Sequence, residues 1–465
     1  MLRLHFASAG RRRVCLGLAT LAFLLAAPAA AQAITTSLVK DIFPGSIGSE
    51  PYDFENLRGK LFFAENYGDL WASDGTEAGT EQVKDIYNIA NLTRVGGTLF
   101  FSADDGTLGE ELWRSDGTEA GSVLVKDINP GSPHSLPGGN TGEMTNVDGI
   151  AFFPADDGIH GEELWKSDGT EEGTKLVKDM NPGSGGSTPR WLTNVGGTLF
   201  FRADDGTHGS ELWKSNGTRR GTKLVRDIHH GTSSSNPHDL TNVAGRLFFS
   251  ADDGTHGDEL WKSNGTRKRT RLFKDIYPGT GTSSPGLLTA IVRRLFFRAD
   301  DGTHGTELWK SNGTRRGTKL VKNIHPGSGA SRPGQERSRS PGQLMNVRGT
   351  VFFPADDGTH GTELWKSDGT RNGTRLVKNI DRGTLPSSPE WLANVGGTLF
   401  FAAVDGFHGE ELWSSDGTPR RTRLVRDITP GLRSSGPYGL KNVGGRLFFV
   451  ARDPAHGNEL WKVVP

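Results

Sequence analysis

The chain of 465 residues carries 65 Gly, 23 Pro, 24 Phe, 11 Trp and a single Cys, and its 54 basic residues balance its 54 acidic ones. Glycine at about twice its usual share excludes a helix-dominated protein, since each one inside a helix costs roughly 1 kcal/mol relative to Ala. The wealth of Phe and Trp together with the balanced charge excludes a charge-extended disordered polymer, and net charge alone gives no reason to expect a polyanion partner.

In chain order, residues 1–33 come first and read as an export signal. Arg11, Arg12 and Arg13 form a basic n-region, residues 14–30 are apolar, and Ala31-Gln32-Ala33 is a small-x-small cleavage site, so the mature chain is expected to begin near Ile34. The expected address is secreted, periplasmic or the outer cell surface. The apolar stretch is short for a membrane span and no later segment is longer or more apolar, so no span is expected after signal removal. Cys15 lies within the signal, ahead of most of its apolar run, which leaves the mature chain without a disulfide.

An isolated run, Leu38-Val39-Lys40-Asp41-Ile42, follows, and then a repeat begins. Leu-Trp pairs place Trp71, Trp113, Trp165, Trp213, Trp261, Trp309, Trp365, Trp413 and Trp461 at intervals of 42, 52, 48, 48, 48, 56, 48 and 48 residues, a basic unit of 48. Repetition at this period signals an array, propeller or solenoid, hence one repeat domain over residues 34–465. In the fourth unit, four short runs of strand character at 192–195, 198–203, 211–214 and 223–228 are separated by Gly-rich turn signals, and none reaches helix length. Adjacent pairs such as Phe200-Phe201 put one aromatic on each face of a strand, so both faces must be covered.

An all-β chain of four-stranded sheets covered on both faces is the blade of a β-propeller, here with nine units of about 48 residues. Every unit ends on a copy of the Leu-Val-Lys-Asp-Ile run except the last, which stops at Trp461-Lys462, so the N-terminal copy is expected to complete the last blade and close the ring. The alternative is an eight-bladed ring with residues 51–86, the most divergent unit, left outside it. Two insertions, residues 132–142 and 329–342, lengthen the connections after the second and sixth units.

Glu163-Leu164-Trp165-Lys166-Ser167-Asp168-Gly169-Thr170 resembles the defining string of the bacterial ELWxxDGT repeat proteins, and eight of the nine units carry it nearly intact. The first unit departs, with Asp69-Leu70-Trp71, and the last lacks the Asp-Gly-Thr turn. The resemblance implies a secreted or surface-associated propeller-like protein and no particular activity.

With strands running outward from the axis, the loops after the second and fourth strands share one face. That face receives all twelve histidines beyond the signal. His160, His208, His256, His304, His360, His408 and His456 lie in or beside the Asp-Asp-Gly-Thr-His-Gly loops, and His134, His229, His230, His238 and His325 lie in the connections. These histidines and paired carboxylates such as Asp204, Asp252 and Asp300 are the candidate ligand-binding residues. Asp and Gly at these spacings also build turns unaided, so no cofactor is expected, calcium being the alternative; no EF-hand spacing is present.

The Glu before each Leu-Trp (Glu111, Glu163, Glu211, Glu259, Glu307, Glu363, Glu411 and Glu459) is expected to be structural, paired with a Lys or Arg of a neighbouring strand, and the Trp to be blade core. On the opposite face the turns between third and fourth strands are acidic early (Glu77, Glu119, Glu171, Glu172) and basic later (Arg219, Arg220, Arg267, Lys268, Arg269, Arg315, Arg316, Arg371, Arg420, Arg421). Aromatics are absent from these turns, which argues against nucleic acid. Residues that break the repeat near the axis are Arg190, Trp191, Glu390, Trp391, Arg293, Arg294, Arg348 and Lys441, and they form no nucleophile, base and orienter set. The expectation is therefore an exported, non-enzymatic interaction or adhesion scaffold holding a protein or glycan at the cell surface. The alternative is a secreted propeller hydrolase or lyase acting on polysaccharide.

Overall fold

The computed structural model describes residues 34–136, 144–334 and 344–464. Residues 1–33, read from the sequence as an export signal, lie outside the described residues, as does much of both insertions. The described chain forms nine four-stranded antiparallel sheets. In the fourth blade the strands are Arg190–Val195, Thr198–Asp204, Ser210–Ser215 and Lys223–Arg226, hydrogen-bonded in chain order. The first begins two residues before the expected 192 because a bulge, between Arg190 and Thr193, lets the pairing continue past it. The last ends before 227 because the chain there turns into the next connection.

Nine hydrophobic clusters, each shared by two successive blades, run round the ring. Between the fourth and fifth blades, Val195, Phe200, Leu212, Val225 and Ile228 meet Leu240, Leu247, Phe249, Ala251 and Trp261. The two members of each Phe-Phe pair therefore serve different interfaces: the first packs on the following blade and the second on the preceding one. Burying one such ring is worth roughly 1.5–3 kcal/mol, so the paired aromatics bind each blade to both neighbours.

Nine blades with nine interfaces make a closed ring. The strand Thr35–Lys40 pairs antiparallel with Gly457–Val464, with Leu38 opposite Trp461, and so supplies the fourth strand of the ninth blade. The ninth and first blades share Val39, Leu61, Phe63, Val443, Phe448 and Leu460. The eight-bladed alternative is corrected here, since residues 51–86 hold a regular blade of Tyr52–Leu57, Lys60–Ala64, Leu70–Ser73 and Thr80–Lys84. Its divergence is one of loop length and side chain, while its backbone pairing is that of the other units.

Basic residues that recur from unit to unit are pins between blades. Lys166 Nζ donates to the Gly217 carbonyl at 2.7 Å and Lys214 Nζ to that of Gly265 at 2.7 Å, each reaching the Asp/Asn-Gly-Thr turn of the next blade. Lys178 Nζ donates to the Thr222 carbonyl at 3.3 Å and sits 5.1 Å from the centre of the Trp213 ring. The closing strand follows the same rule: Arg426 donates to the Thr36 carbonyl, and Lys40 to that of Thr80.

With the lysines committed to carbonyls, the Glu before Leu-Trp has no cation. The expected Lys or Arg pairing is corrected: each is a buried clasp on the connection that leaves its own blade. Glu211, fully buried, accepts from the backbone N–H groups of Ile228, His229 and Ser235 and from the Ser235 hydroxyl at 2.7 Å. Glu459 does the same for the N-terminal segment, accepting from the Phe43 and Ser49 amides and the Ser49 hydroxyl. Burial pushes the carboxyls of Glu111, Glu259, Glu363 and Glu411 up to about 7, against the donors that pull them down, and it raises Glu163, Glu211, Glu307 and Glu459 likewise.

A carboxyl whose folded pKa lies above its unfolded value binds more protons in the folded state, so its stability is full below the ordinary Glu value and is lost as pH rises toward 7. Eight such groups act together. The melting temperature is expected to be several degrees higher at about pH 5.5 than at about pH 8, and a melt that rises or stays level over that range would contradict this.

Candidate binding site at the channel mouth

The loops after second strands and the connections after fourth strands meet on one face, as the Ser210 amide bound to the Ser234 hydroxyl shows. Every loop histidine is tied to the second Asp of its own turn. The Nδ1 to Oδ2 distances are 2.8 Å for His160 with Asp157, 2.9 Å for His208 with Asp205 and 3.0 Å for His256 with Asp253. His304 with Asp301, His360 with Asp357, His408 with Asp405 and His456 with Asp453 each close to 2.8 Å. The hydrogen bond that each ring donates to its carboxylate raises the pKa of His160, His208, His408 and His456.

The first Asp of each pair shapes the turn. Asp204, Asp252 and Asp300 accept the amides of Gly206, Gly254 and Gly302 at 2.8, 2.7 and 2.8 Å, the Asx geometry that needs no ligand. The loop His and Asp residues thus stand one set to a blade around the rim of the third to ninth blades, and among the described residues no group of three or more His, Cys, Asp or Glu is placed to hold a metal ion. Of the connection histidines, His134 Nδ1 accepts the Glu110 amide at 2.8 Å, the role played elsewhere by Ser234 and Ser434.

Toward the axis, the repeated backbone carries unequal side chains. In seven of the nine first strands, among the described residues, a bulge puts one residue at positive φ, and the occupants are Asp53 (54°), Asn91 (61°), Trp191 (60°), Asp239 (52°), Leu287 (55°), Trp391 (54°) and Gly439 (63°). Only glycine is at ease there; a bulky residue in this region costs on the order of 1 kcal/mol or more, and such strain gathers at functional sites. At Gly439 a Cβ would stand 3.1 Å from the Phe54 ring. The glycine therefore leaves room that the other blades fill.

That room is a cavity of about 290 Å3 at the seam of the eighth, ninth and first blades, lined by Pro51, Tyr52, Asp53, Phe54, Trp391, Tyr438, Gly439, Leu440 and Lys441. The Trp391 and Tyr438 rings lie 6.3 Å apart at 51°. Each polar group of the lining is held from behind. The Tyr438 hydroxyl donates to Glu50 at 3.2 Å, the Tyr52 hydroxyl to the Ile89 carbonyl at 3.0 Å, and Lys441 Nζ to Glu55 at 3.0 Å; Asp53 accepts the Leu92 amide at 2.7 Å. Burial pushes the Asp53 carboxyl up to about 6, against the Leu92 amide and Lys441, and pushes the Tyr52 phenol up to about 12. Tyr52, Tyr438 and Trp391 stand at the starts of their strands, so the cavity opens on the face of the His and Asp loops.

Of the repeat-breaking residues read from the sequence, the fold brings Trp391 and Lys441 to this cavity. Arg190 instead makes a bidentate pair with Glu162, at 2.7 and 3.0 Å, and Arg293, Arg294 and Arg348 lie at turns of the opposite face. Sequence reasoning missed Tyr52, Asp53, Tyr438 and Gly439. Two of the chain's five tyrosines, both directly after a proline, were the available signal.

No protein-family model matches the chain, and no curated protein does. Among solved structures it is similar to the computationally designed Ika8 protein, at 15% identity and a TM-score of 0.44 over 91% of this chain and 99% of that one. BamB from Moraxella catarrhalis is similar at 13% identity and a TM-score of 0.40, over 80% of this chain and 96% of that one. A puromycin hydrolase mutant complexed with PGG follows at 12% identity and a TM-score of 0.38, with 79% of this chain matched to 60% of that one.

Proposed function

We propose that this protein is an exported, non-enzymatic binding scaffold that holds a protein or glycan partner at the channel mouth. One observation carries the reading. Of the ten large apolar side chains exposed among the described residues, nine (Ile47, Tyr52, Tyr67, Tyr87, Ile159, Tyr277, Leu385, Phe407 and Leu432) belong to the face on which the cavity opens, and only Val292 belongs to the other. An aromatic-walled cavity with a few fixed polar groups, on the face that carries these apolar side chains, suits a sugar ring or an apolar side chain presented by a partner. The basic n-region and apolar stretch of residues 1–33 support export to the periplasm or outer surface, and the string at 163–170 supports membership of the ELWxxDGT repeat proteins.

The test is a panel of glycans and bacterial envelope fractions offered to the protein and to Trp391→Ala and Gly439→Leu. Both variants are expected to weaken capture by about tenfold or more; Trp391→Ala removes a wall and should move the melting temperature by only a few degrees, whereas Gly439→Leu fills the space at positive φ against Phe54 and should lower it further. Capture equal to that of the unaltered protein would sink the reading. The raised carboxyl of Asp53 inside the cavity favours a second reading, a polysaccharide hydrolase or lyase. Turnover on the same panel, abolished by Asp53→Asn, would establish it in place of the first.

A further inference from the structure

The face opposite the cavity has a charge division that the fold does not require. In the first eight blades the third strand ends in a turn whose first residue accepts from the Thr two positions on: Asp168 Oδ1 takes the Thr170 amide at 2.9 Å and its hydroxyl at 2.7 Å. Asp74 and Asp116 do likewise, and the Thr hydroxyls hold all three carboxyls below the usual range, hence charged. In the fourth, fifth and sixth blades alone the residue is Asn. Asn216, Asn264 and Asn312 accept from Thr218, Thr266 and Thr314 in the same geometry, with hydroxyl contacts of 2.8, 2.8 and 2.7 Å. The turn needs an oxygen acceptor, which either residue supplies; the substitution changes only the charge.

Those three consecutive blades are also the ones whose turns carry Arg219 and Arg220, then Arg267, Lys268 and Arg269, then Arg315 and Arg316, all exposed. Among the described residues no carboxylate lies within ion-pair distance of these seven. The first three blades have Glu77, Glu119, Glu171 and Glu172 at the corresponding turns beside their charged Asp, also exposed. In the seventh and eighth blades Arg371, Arg420 and Arg421 share their turns with Asp368 and Asp416, so only over the fourth to sixth blades do the turn cations stand without a turn acid, which makes that arc attractive to an anion and the arc of turn acids over the first three repulsive.

We infer that the arc over the fourth to sixth blades docks an acidic polysaccharide, with the acidic arc confining the polymer to that side. The occupant follows from the composition of the surface. Among the described residues Val292 is the one large apolar side chain exposed on this face, so the apolar centre that a stable contact with a second copy needs is missing from them. Aromatic platforms for stacked bases are missing from the turns as well. What remains is a row of exposed cations, one of them, Arg315, pinned to the Phe273 carbonyl at 3.0 Å, which suits a flexible chain of repeated carboxylate, sulfate or phosphate groups bound with release of counterions.

The test uses the triple variant Asn216→Asp, Asn264→Asp and Asn312→Asp, in which the turns keep their acceptor oxygens and gain three charges. Binding of dextran sulfate, polygalacturonate and neutral dextran is measured between about 50 and 300 mM NaCl. The unaltered protein is expected to bind both polyanions with affinity falling steeply in salt and to ignore neutral dextran; the variant is expected to bind roughly tenfold more weakly with an unchanged melting temperature. Equal binding by the variant, binding without salt dependence, or equal binding of neutral dextran would overturn the inference. Single-stranded DNA bound more tightly than either polysaccharide would replace the glycan by nucleic acid, and a doubled mass in light scattering that the variant loses would replace it by a second copy. Because Trp391→Ala leaves this face untouched, its effect on capture at the channel mouth separates failure of the proposed scaffold role from failure here.

Discussion

A chain that starts at residue 45 is expected to lose cooperative folding or to melt far below the full ring. The deleted segment contains the strand Thr35–Lys40, whose absence strips Gly457–Val464 of its partner and leaves an exposed sheet edge, a template for aggregation. It also uncovers two interfaces at once, since Leu38 packs in the cluster between the eighth and ninth blades and Val39 in that between the ninth and first. Losing these two apolar side chains alone is worth on the order of 5 kcal/mol, comparable to the whole stability of an ordinary domain. Arg426 and Lys40 pins and the Phe43 donor to Glu459 vanish with them. Circular dichroism melts should show the loss, and a peptide of residues 34–44 added in trans should restore part of it. A truncated chain melting within a few degrees of the full one would show that the ring does not depend on its closing strand.

Glu363→Ala is expected to destabilise the protein by about 3–5 kcal/mol, the range for removing one partner of a buried charged network. Glu363 is fully buried and accepts from the Ile380 and Ser387 amides at 2.9 and 3.1 Å and from the Ser387 hydroxyl at 2.6 Å. Alanine leaves three donors buried without an acceptor and frees the connection between the seventh and eighth blades. Glu363→Gln keeps an acceptor oxygen and loses the titration, so it should cost less and should reduce the fall in stability between about pH 5 and 7. Urea unfolding at about pH 5.5 and 7.5 measures both effects. An alanine variant within about 1 kcal/mol of the unaltered protein would show that the clasp is dispensable.

Much of the fold was legible because the repeat states the same fact nine times. Phe200-Phe201 announces a strand covered on both faces, and the isolated Leu38-Val39 run announces a closing strand. The glutamates were misread because like residues in every unit suggest charge pairing, whereas Lys166, Lys178 and their counterparts point across to carbonyls of the next blade and leave each carboxylate to backbone amides of its own connection. The rim histidines were legible as a set, but their Asp partners three residues earlier turn them into parts of rigid loops.

The sequence by itself determined the blade, its period and the closure, because alternation, turn glycines and paired aromatics are local signals whose meaning does not depend on distant residues. Tertiary structure alone decided where a ligand fits. Tyr52, Asp53, Trp391 and Lys441 come from three blades and from opposite ends of the chain, and they meet only because Thr35–Lys40 joins Gly457–Val464 and brings the first blade against the ninth. The cavity itself exists because one bulge holds glycine, and the value of that glycine is set by the Phe54 ring that faces it across the seam.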